Sequence, residues 1–140
     1  MVAAVLIVSD SESVLSELRS ALEDGETELL ELMAGEEVRP AVEEDPPDLV
    51  ITDLQVGNMG GMAICLDLHL EESGGRIPHV PVVILLDRRA DVFLARRSAA
   101  EGWLVKPLDP IRIRRAAQAV LDGGTFHDES YKPLPLAADF

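Results

Sequence analysis

Short unbroken runs of apolar residues alternate along this chain with stretches whose apolar positions recur every three or four residues. The first run, Ala3 to Val8, has the pattern of a strand covered on both faces. From about Glu12 to Glu23 the period lengthens: Val14, Leu15, Leu18 and Leu22 form one helical stripe, Ser11 offers an N-cap and Gly25 a stop. Thr27 to Met33 reads as a second strand through Leu29, Leu30 and Leu32, although a helical period also accommodates it. Glu36 to Glu44 is a short helix interrupted by Pro40, a residue tolerated only near a first turn. Pro46-Pro47 forces an extended entry into a third strand, Asp48 to Thr52. Gly61 to Glu72 is a helix with Met62, Ile64, Cys65 and Leu68 facing inward, ended by Ser73-Gly74-Gly75. Val80 to Leu86 is a fourth strand, entered through Pro78 and Pro81. Ala90 to Ala100 is a helix packing through Val92, Phe93, Leu94 and Ala95, and Trp103 to Val105 is a short fifth strand. Asp109-Pro110 combines an N-cap with a first-position proline; the last helix starts there, runs to about Asp122 and stops at Gly123-Gly124.

Strict alternation of strand and helix implies parallel pairing and right-handed crossovers. The predicted fold is therefore α/β: a flavodoxin-like, doubly wound, five-stranded parallel sheet in the order 2-1-3-4-5, with helices on both faces. Residues 1–122 are expected to form this unit. Residues 123–140, with Pro133 and Pro135 and no clear period, are expected to be a linker stub or a segment packed locally through Phe126 and Tyr131.

Composition narrows the class. A chain of 140 residues supports one domain of ordinary size, and 47% apolar residues with a mean hydropathy of +0.13 describe a folded globular protein. No apolar run approaches the roughly 20 residues needed to span a bilayer, and the start lacks a basic leader. Cys65 is the only cysteine, which excludes an internal disulfide and points to a reducing, cytoplasmic setting. Residues 1–86 hold 18 acids and 3 bases, whereas residues 87–140 hold 8 acids and 9 bases. The net charge of −14 argues against direct nucleic-acid binding. The arginines Arg88, Arg89, Arg96, Arg97, Arg112, Arg114 and Arg115 read first as a solvated helix face and second as a dock for an acidic partner.

The candidate chemistry sits where apolar runs end. In the predicted order, the carboxyl ends of strands 1, 3 and 5 gather Asp10, Asp53 and Lys106 at one crevice of the sheet. A carboxylate such as Asp53 can accept a phosphoryl group to form an acyl phosphate. Anion attacking anion calls for a cation, here Mg²⁺ held by Asp10, Asp53 and a backbone carbonyl just after it, such as that of Gln55. Lys106 supplies a positive charge for the phosphoryl oxygens. The bond between Lys106 and Pro107 is a candidate cis peptide. His69, His79 and His127 show no metal-ligand spacing, and Gly57, Gly60 and Gly61 form no nucleotide fingerprint.

Taken in order, Val5-Leu6-Ile7-Val8-Ser9-Asp10, Pro47-Asp48-Leu49-Val50-Ile51-Thr52-Asp53-Leu54, Gly60-Gly61, Pro81-Val82-Val83-Ile84-Leu85-Leu86 and Gly102-Trp103-Leu104-Val105-Lys106-Pro107 resemble the receiver domain of two-component response regulators. The resemblance covers about residues 3–122. It implies a phosphoprotein in which Asp53 takes a phosphoryl group from a histidine kinase or phosphotransfer protein, Asp10 binds Mg²⁺ and Lys106 contacts the phosphate. It also implies that the last two helices and strand 5 report phosphorylation to a downstream protein or to a second copy. Departures from the family pattern make this an atypical receiver. Ser9 stands where a first acid is usual, Leu86 or Asp87 where a hydroxyl usually ends strand 4, and Gly57 where a proline is common, which loosens the loop. Trp103 takes the place of the switch aromatic that the missing hydroxyl would engage.

Other readings stand beside this one. Asp53 and Asp87 are also ordinary turn residues, Asp87 is alternatively a built-in negative charge mimicking activation, Asp10 is a helix cap and Lys106 a surface lysine. At the level of function, the alternatives are a phosphorylation-independent pseudo-receiver that works as a binding module, and a phosphatase with Asp53 as nucleophile. The phosphatase ranks last, because Asp53-Leu54-Gln55 lacks an acid two residues on.

Overall fold

The computed structural model describes residues 3–130. Strands β1 (Ala3–Val8), β2 (Thr27–Leu32), β3 (Leu49–Asp53), β4 (Val82–Leu86), β5 (Gly102–Val105) and β6 (Phe126–His127) form one sheet in the order β2-β1-β3-β4-β5-β6. Every pairing is parallel. Helices α1 (Glu12–Leu22), α2 (Val38–Glu44), α3 (Gly61–Ser73), α4 (Val92–Arg97) and α5 (Pro110–Leu121) supply the crossovers. The predicted order 2-1-3-4-5 is present in full. The predicted count of five is corrected to six: Phe126 and His127 pair with Gly102 and Trp103 along the far side of β5. A two-residue strand has no period of its own, which is why the sequence conceals it. Tyr131, Pro133 and Pro135 lie outside the described residues.

Side chains alternate across the sheet and divide the core in two. Leu6 and Val8 of β1 join Val50, Ile84 and Trp103 beneath α2, α3 and α4. Val5 and Ile7 join Ile51, Leu85, Leu104 and the stripes of α1 and α5 on the other face. β3, β4 and β5 are buried along their whole length, as strands covered on both faces must be. Cys65 is in the first layer, where burial pushes its thiol up to about 12, and its Sγ–H donates to the Ser98 carbonyl at 3.2 Å.

The helix starts follow their caps. Ser11 Oγ accepts from the Val14 N–H and Asp109 Oδ1 from the Arg112 N–H. The stretch predicted as one helix from Ala90 to Ala100 is a 3₁₀ turn at Arg89–Asp91 followed by a six-residue α4. It ends before Ala99, whose φ of 60° is left-handed.

Below the sheet's carboxyl edge, His79 joins two elements. Its Nδ1 is 2.8 Å from Glu72 of α3 and its Nε2 is 3.1 Å from Glu101, just before β5, while His69 stacks on the ring at 6.4 Å. Both ring nitrogens facing carboxylates require the imidazolium. The Glu72 hydrogen bond raises the His79 pKa above its usual value; burial opposes this, and Glu101 adds to it. A raised folded-state pKa gives stability that is present below the unfolded value of about 6.5 and lost as pH rises through the folded one. The urea midpoint of the wild type should thus exceed that of His79→Gln at pH 6. The gap should close by pH 9, and for a half-exposed ring its size is at most about 1 kcal/mol. A gap that grew with pH would contradict this.

Candidate functional site

Asp53 is the last residue of β3 and its side chain is 5% exposed. Its backbone is fixed where the strand ends: the Leu54 N–H donates to Leu85 and the Thr52 hydroxyl to the Asp53 carbonyl. A Cβ on Gly61 would stand 2.7 Å from that carbonyl, and one on Gly60 2.1 Å from the carbonyl of Leu54. Glycine at these two positions lets α3 begin against the end of β3. The pair needs no nucleotide to explain it.

Side chains from the ends of two other strands, β1 and β5, reach the carboxylate. Ser9, buried just past β1, donates its hydroxyl to Asp53 Oδ2 at 2.5 Å and accepts the Ser11 N–H at 3.0 Å. Lys106, just past β5, brings Nζ to 2.6 Å from Asp53 Oδ1 and 3.0 Å from Asp87 Oδ1. Asp53 Oδ1 is buried with no aligned hydrogen bond, so the ammonium meets it as a charge rather than along a lone pair. Burial pulls the Lys106 pKa down, but the close contacts with the Asp53 and Asp87 carboxylates and their charges outweigh it and leave the pKa raised. The peptide bond between Lys106 and Pro107 is cis.

Asp10 is exposed and its Oδ2 accepts the Gly57 N–H at 3.0 Å, which ties the end of β1 to the loop that carries Gln55. Ser11, not Asp10, caps α1. Gly57 has φ +43°, left-handed, and proline could supply neither that angle nor the N–H. The loop expected to be loosened by Gly57 is instead held by this bond and by Met59 N–H to Val56.

The position past β4 is resolved. Leu86 is the last strand residue and is buried in the core; Asp87 follows, exposed. Neither offers a hydroxyl. Asp87 spends its carboxylate on Lys106, which the turn reading did not include. Trp103 is fully packed, stacked on His127 at 4.1 Å with Arg96 5.4 Å from the ring, and its Nε1–H has no hydrogen-bond partner among the described residues.

Sequence reasoning missed Ser9 as a direct partner of Asp53, which it read only as a lost acid. It also missed Asp128. Buried at 3% exposure, Asp128 accepts the N–H of Val105, the residue before Lys106, at 2.8 Å and pairs with Arg112 of α5. Burial pushes its pKa up, but the Val105 and Ser130 N–H groups and Arg112 bring it below the usual carboxylate range. An acid in the aperiodic stretch after Gly123-Gly124 carries no signal for this.

As ligands, Asp10, Asp53 and the Gln55 carbonyl are hard oxygen donors. Mg²⁺ keeps several waters and asks for one or two carboxylates, so this set fits it. Among the described residues no group of three or more His, Cys, Asp or Glu is disposed to hold a metal, so the set does not extend beyond two acids. A concavity of about 340 Å³ between β2 and α2 is lined by Ala4, Leu30, Ala41 and Pro47, and a second of about 340 Å³ by Gly35, Arg39, Met59 and Asp67; Asp53 lines neither.

Comparisons with known proteins converge. A family model described as the response regulator receiver domain matches residues 5–118. Protein PilH of Pseudomonas aeruginosa is 27% identical over 121 residues, 86% of this chain and 99% of that protein. The alkaline phosphatase synthesis transcriptional regulatory protein PhoP of Bacillus subtilis is 25% identical over 119 residues, 84% of this chain but only 48% of that protein. The response regulator PleD of Caulobacter vibrioides is 29% identical over 115 residues, and the chain spans 25% of its length. The chemotaxis response regulator CheY4 of Vibrio cholerae shares the fold, with a TM-score of 0.76 at 24% identity over 86% of this chain and 99% of that one.

Proposed function

Given that the chain belongs to the response regulator receiver domain family, we propose that Asp53 is its phosphoacceptor and that a phosphohistidine on a kinase or phosphotransfer protein is the donor. The observation that carries this is the buried Asp53 carboxylate at the end of β3 with the Lys106 ammonium 2.6 Å away. One Asp53 oxygen attacks the phosphorus while the P–N bond breaks, its electron pair returns to the imidazole, and an acyl phosphate forms. Ser9 steadies the other oxygen through its hydroxyl. Lys106, freed from the carboxylate charge that the new acyl phosphate consumes, turns to the phosphoryl oxygens. Receiver domains of this family are generally Mg²⁺-dependent. Asp10, Asp53 and the Gln55 carbonyl would hold the ion, which supplies charge neutralisation between nucleophile and phosphoryl group. Loss of the phosphoryl group is hydrolysis at the same site, a self-catalysed step and no turnover of an outside substrate.

Residues 1–122 serve as the receiver unit, and Phe126–His127 beyond it dock on the sheet as β6. Output goes through the face made by α4, β5 and α5 to a protein partner or a second copy. No described helix is long and apolar enough to cross a membrane, and a cytoplasmic setting accords with the free Cys65. A second reading, a pseudo-receiver regulated by binding alone, draws on one observation: Ser9 and Lys106 already engage both oxygens of Asp53.

Acetyl phosphate separates the two. In the presence of Mg²⁺ the intact mass should rise by one phosphoryl group, and hydroxylamine, which cleaves acyl phosphates, should remove it. Mg²⁺ alone should give a saturable change in Trp103 fluorescence. No mass gain at any concentration would leave the pseudo-receiver.

A further inference from the structure

Lys106 serves two carboxylates at once. Its Nζ lies 2.6 Å from Asp53 Oδ1 and 3.0 Å from Asp87 Oδ1. Asp53 comes from inside the sheet edge and Asp87 from outside it, so the ammonium sits as a bridge between a buried acid and an exposed one. The bridge matters because of what surrounds it. Leu86 turns into the core and gives no hydroxyl on that flank of Asp53. Lys106 is then the side chain left there to meet a phosphoryl group, and what holds Lys106 governs that meeting. The backbone fixes the pair: the Lys106 N–H donates to the Leu86 carbonyl at 2.8 Å, which keeps the residues after β4 and β5 side by side.

From this geometry we propose that Asp87 is a positioning residue, an internal competitor that holds Lys106 away from the phosphoryl group and so weakens its capture at Asp53. The inference rests on Asp53 being the acceptor. In the unmodified domain the two acids share one cation. Once Asp53 becomes an acyl phosphate its own carboxylate charge is gone, and Asp87 remains as the rival of the phosphoryl oxygens for Lys106.

Beryllofluoride, a phosphoryl mimic that adds to an aspartate carboxylate, measures this in the intact protein. Asp87→Asn keeps the shape and removes the charge; it should bind about tenfold more tightly. Asp87→Glu, which restores the charge, should bind as the wild type does. A merely structural role would not follow charge in this way. In a Lys106→Met background, Asp87→Asn should change the affinity by less than about threefold, because the competition has lost its object. Equal affinity of wild type and Asp87→Asn, or an undiminished gain without Lys106, overturns the proposal and leaves Asp53 as acceptor. If no variant binds beryllofluoride and wild type takes no label from acetyl phosphate, the acceptor reading itself fails and the proposal with it.

Discussion

An Asp53→Asn protein will take up no phosphoryl group from acetyl phosphate under conditions in which the wild type gains one. The amide nitrogen of asparagine is no nucleophile, its lone pair being delocalised into the carbonyl, and no other described carboxylate lies beside Lys106 within the buried edge of the sheet. Asp87 is beside it but exposed and outside. The fold should survive, for the asparagine oxygen still accepts from Ser9 and Lys106 keeps Asp87. Intact-mass measurement with circular dichroism as the control decides it. The expected loss is at least ~100-fold, on the scale of removing a catalytic group outright. Labelling that persisted at more than a tenth of the wild-type level would show that another residue takes the phosphoryl group.

The second large effect is on stability. Asp128→Ala removes the acceptor of the Val105 N–H and the partner of Arg112, two bonds that join β5, α5 and the residues after β6. Asp128 is buried and the Arg112 side chain is 19% exposed. Deleting one member of a buried pair costs about 3–5 kcal/mol because the other is left uncompensated. Arg112 is partly hydrated and keeps Asp109 at 2.6 Å, so the larger part of the cost is the buried Val105 N–H left without its acceptor, and about 2 kcal/mol is expected, read as a lower urea midpoint at unchanged slope. The sign of its pH dependence follows from the depressed pKa of Asp128. The stabilisation stands above the unfolded pKa of about 3.9 and fades as pH falls through the folded one, so wild type and variant converge in acid. Asp128→Asn, which retains an acceptor, should recover part of the loss; equal midpoints for wild type and Asp128→Ala would show the pair to be ornamental.

The order of the sheet was legible because β1, β3 and β4 are unbroken apolar runs and burial on both faces leaves such runs no other home. Asp53 and Lys106 were legible for a related reason: each is the first charged side chain at the end of such a run. The rest is contact between residues with no sequence signature. Ser9 looked like an acid missing, yet its hydroxyl reaches Asp53 Oδ2. Gly57 looked like slack, yet only its N–H and left-handed angle bring the loop to Asp10. The helix from Ala90 shortened because Asp91 closes a 3₁₀ turn, its carboxylate held by Arg88. Asp128 and β6 were hidden because pairing across the chain leaves no trace in a two-residue strand.

Phe126 and His127 also decide how another chain can approach this flank. They occupy the backbone groups of Gly102 and Trp103 that would otherwise await a visiting strand. A guest cannot extend the sheet by hydrogen-bonding to β5 there. The margin on this flank is the two-residue β6, and the exposed Phe93 of α4 and Ile111 of α5 offer side-chain contacts instead. On the opposite margin β2 has a strand on one side only among the described residues, and it carries the exposed Glu28, a charge of the kind that discourages edge-to-edge pairing.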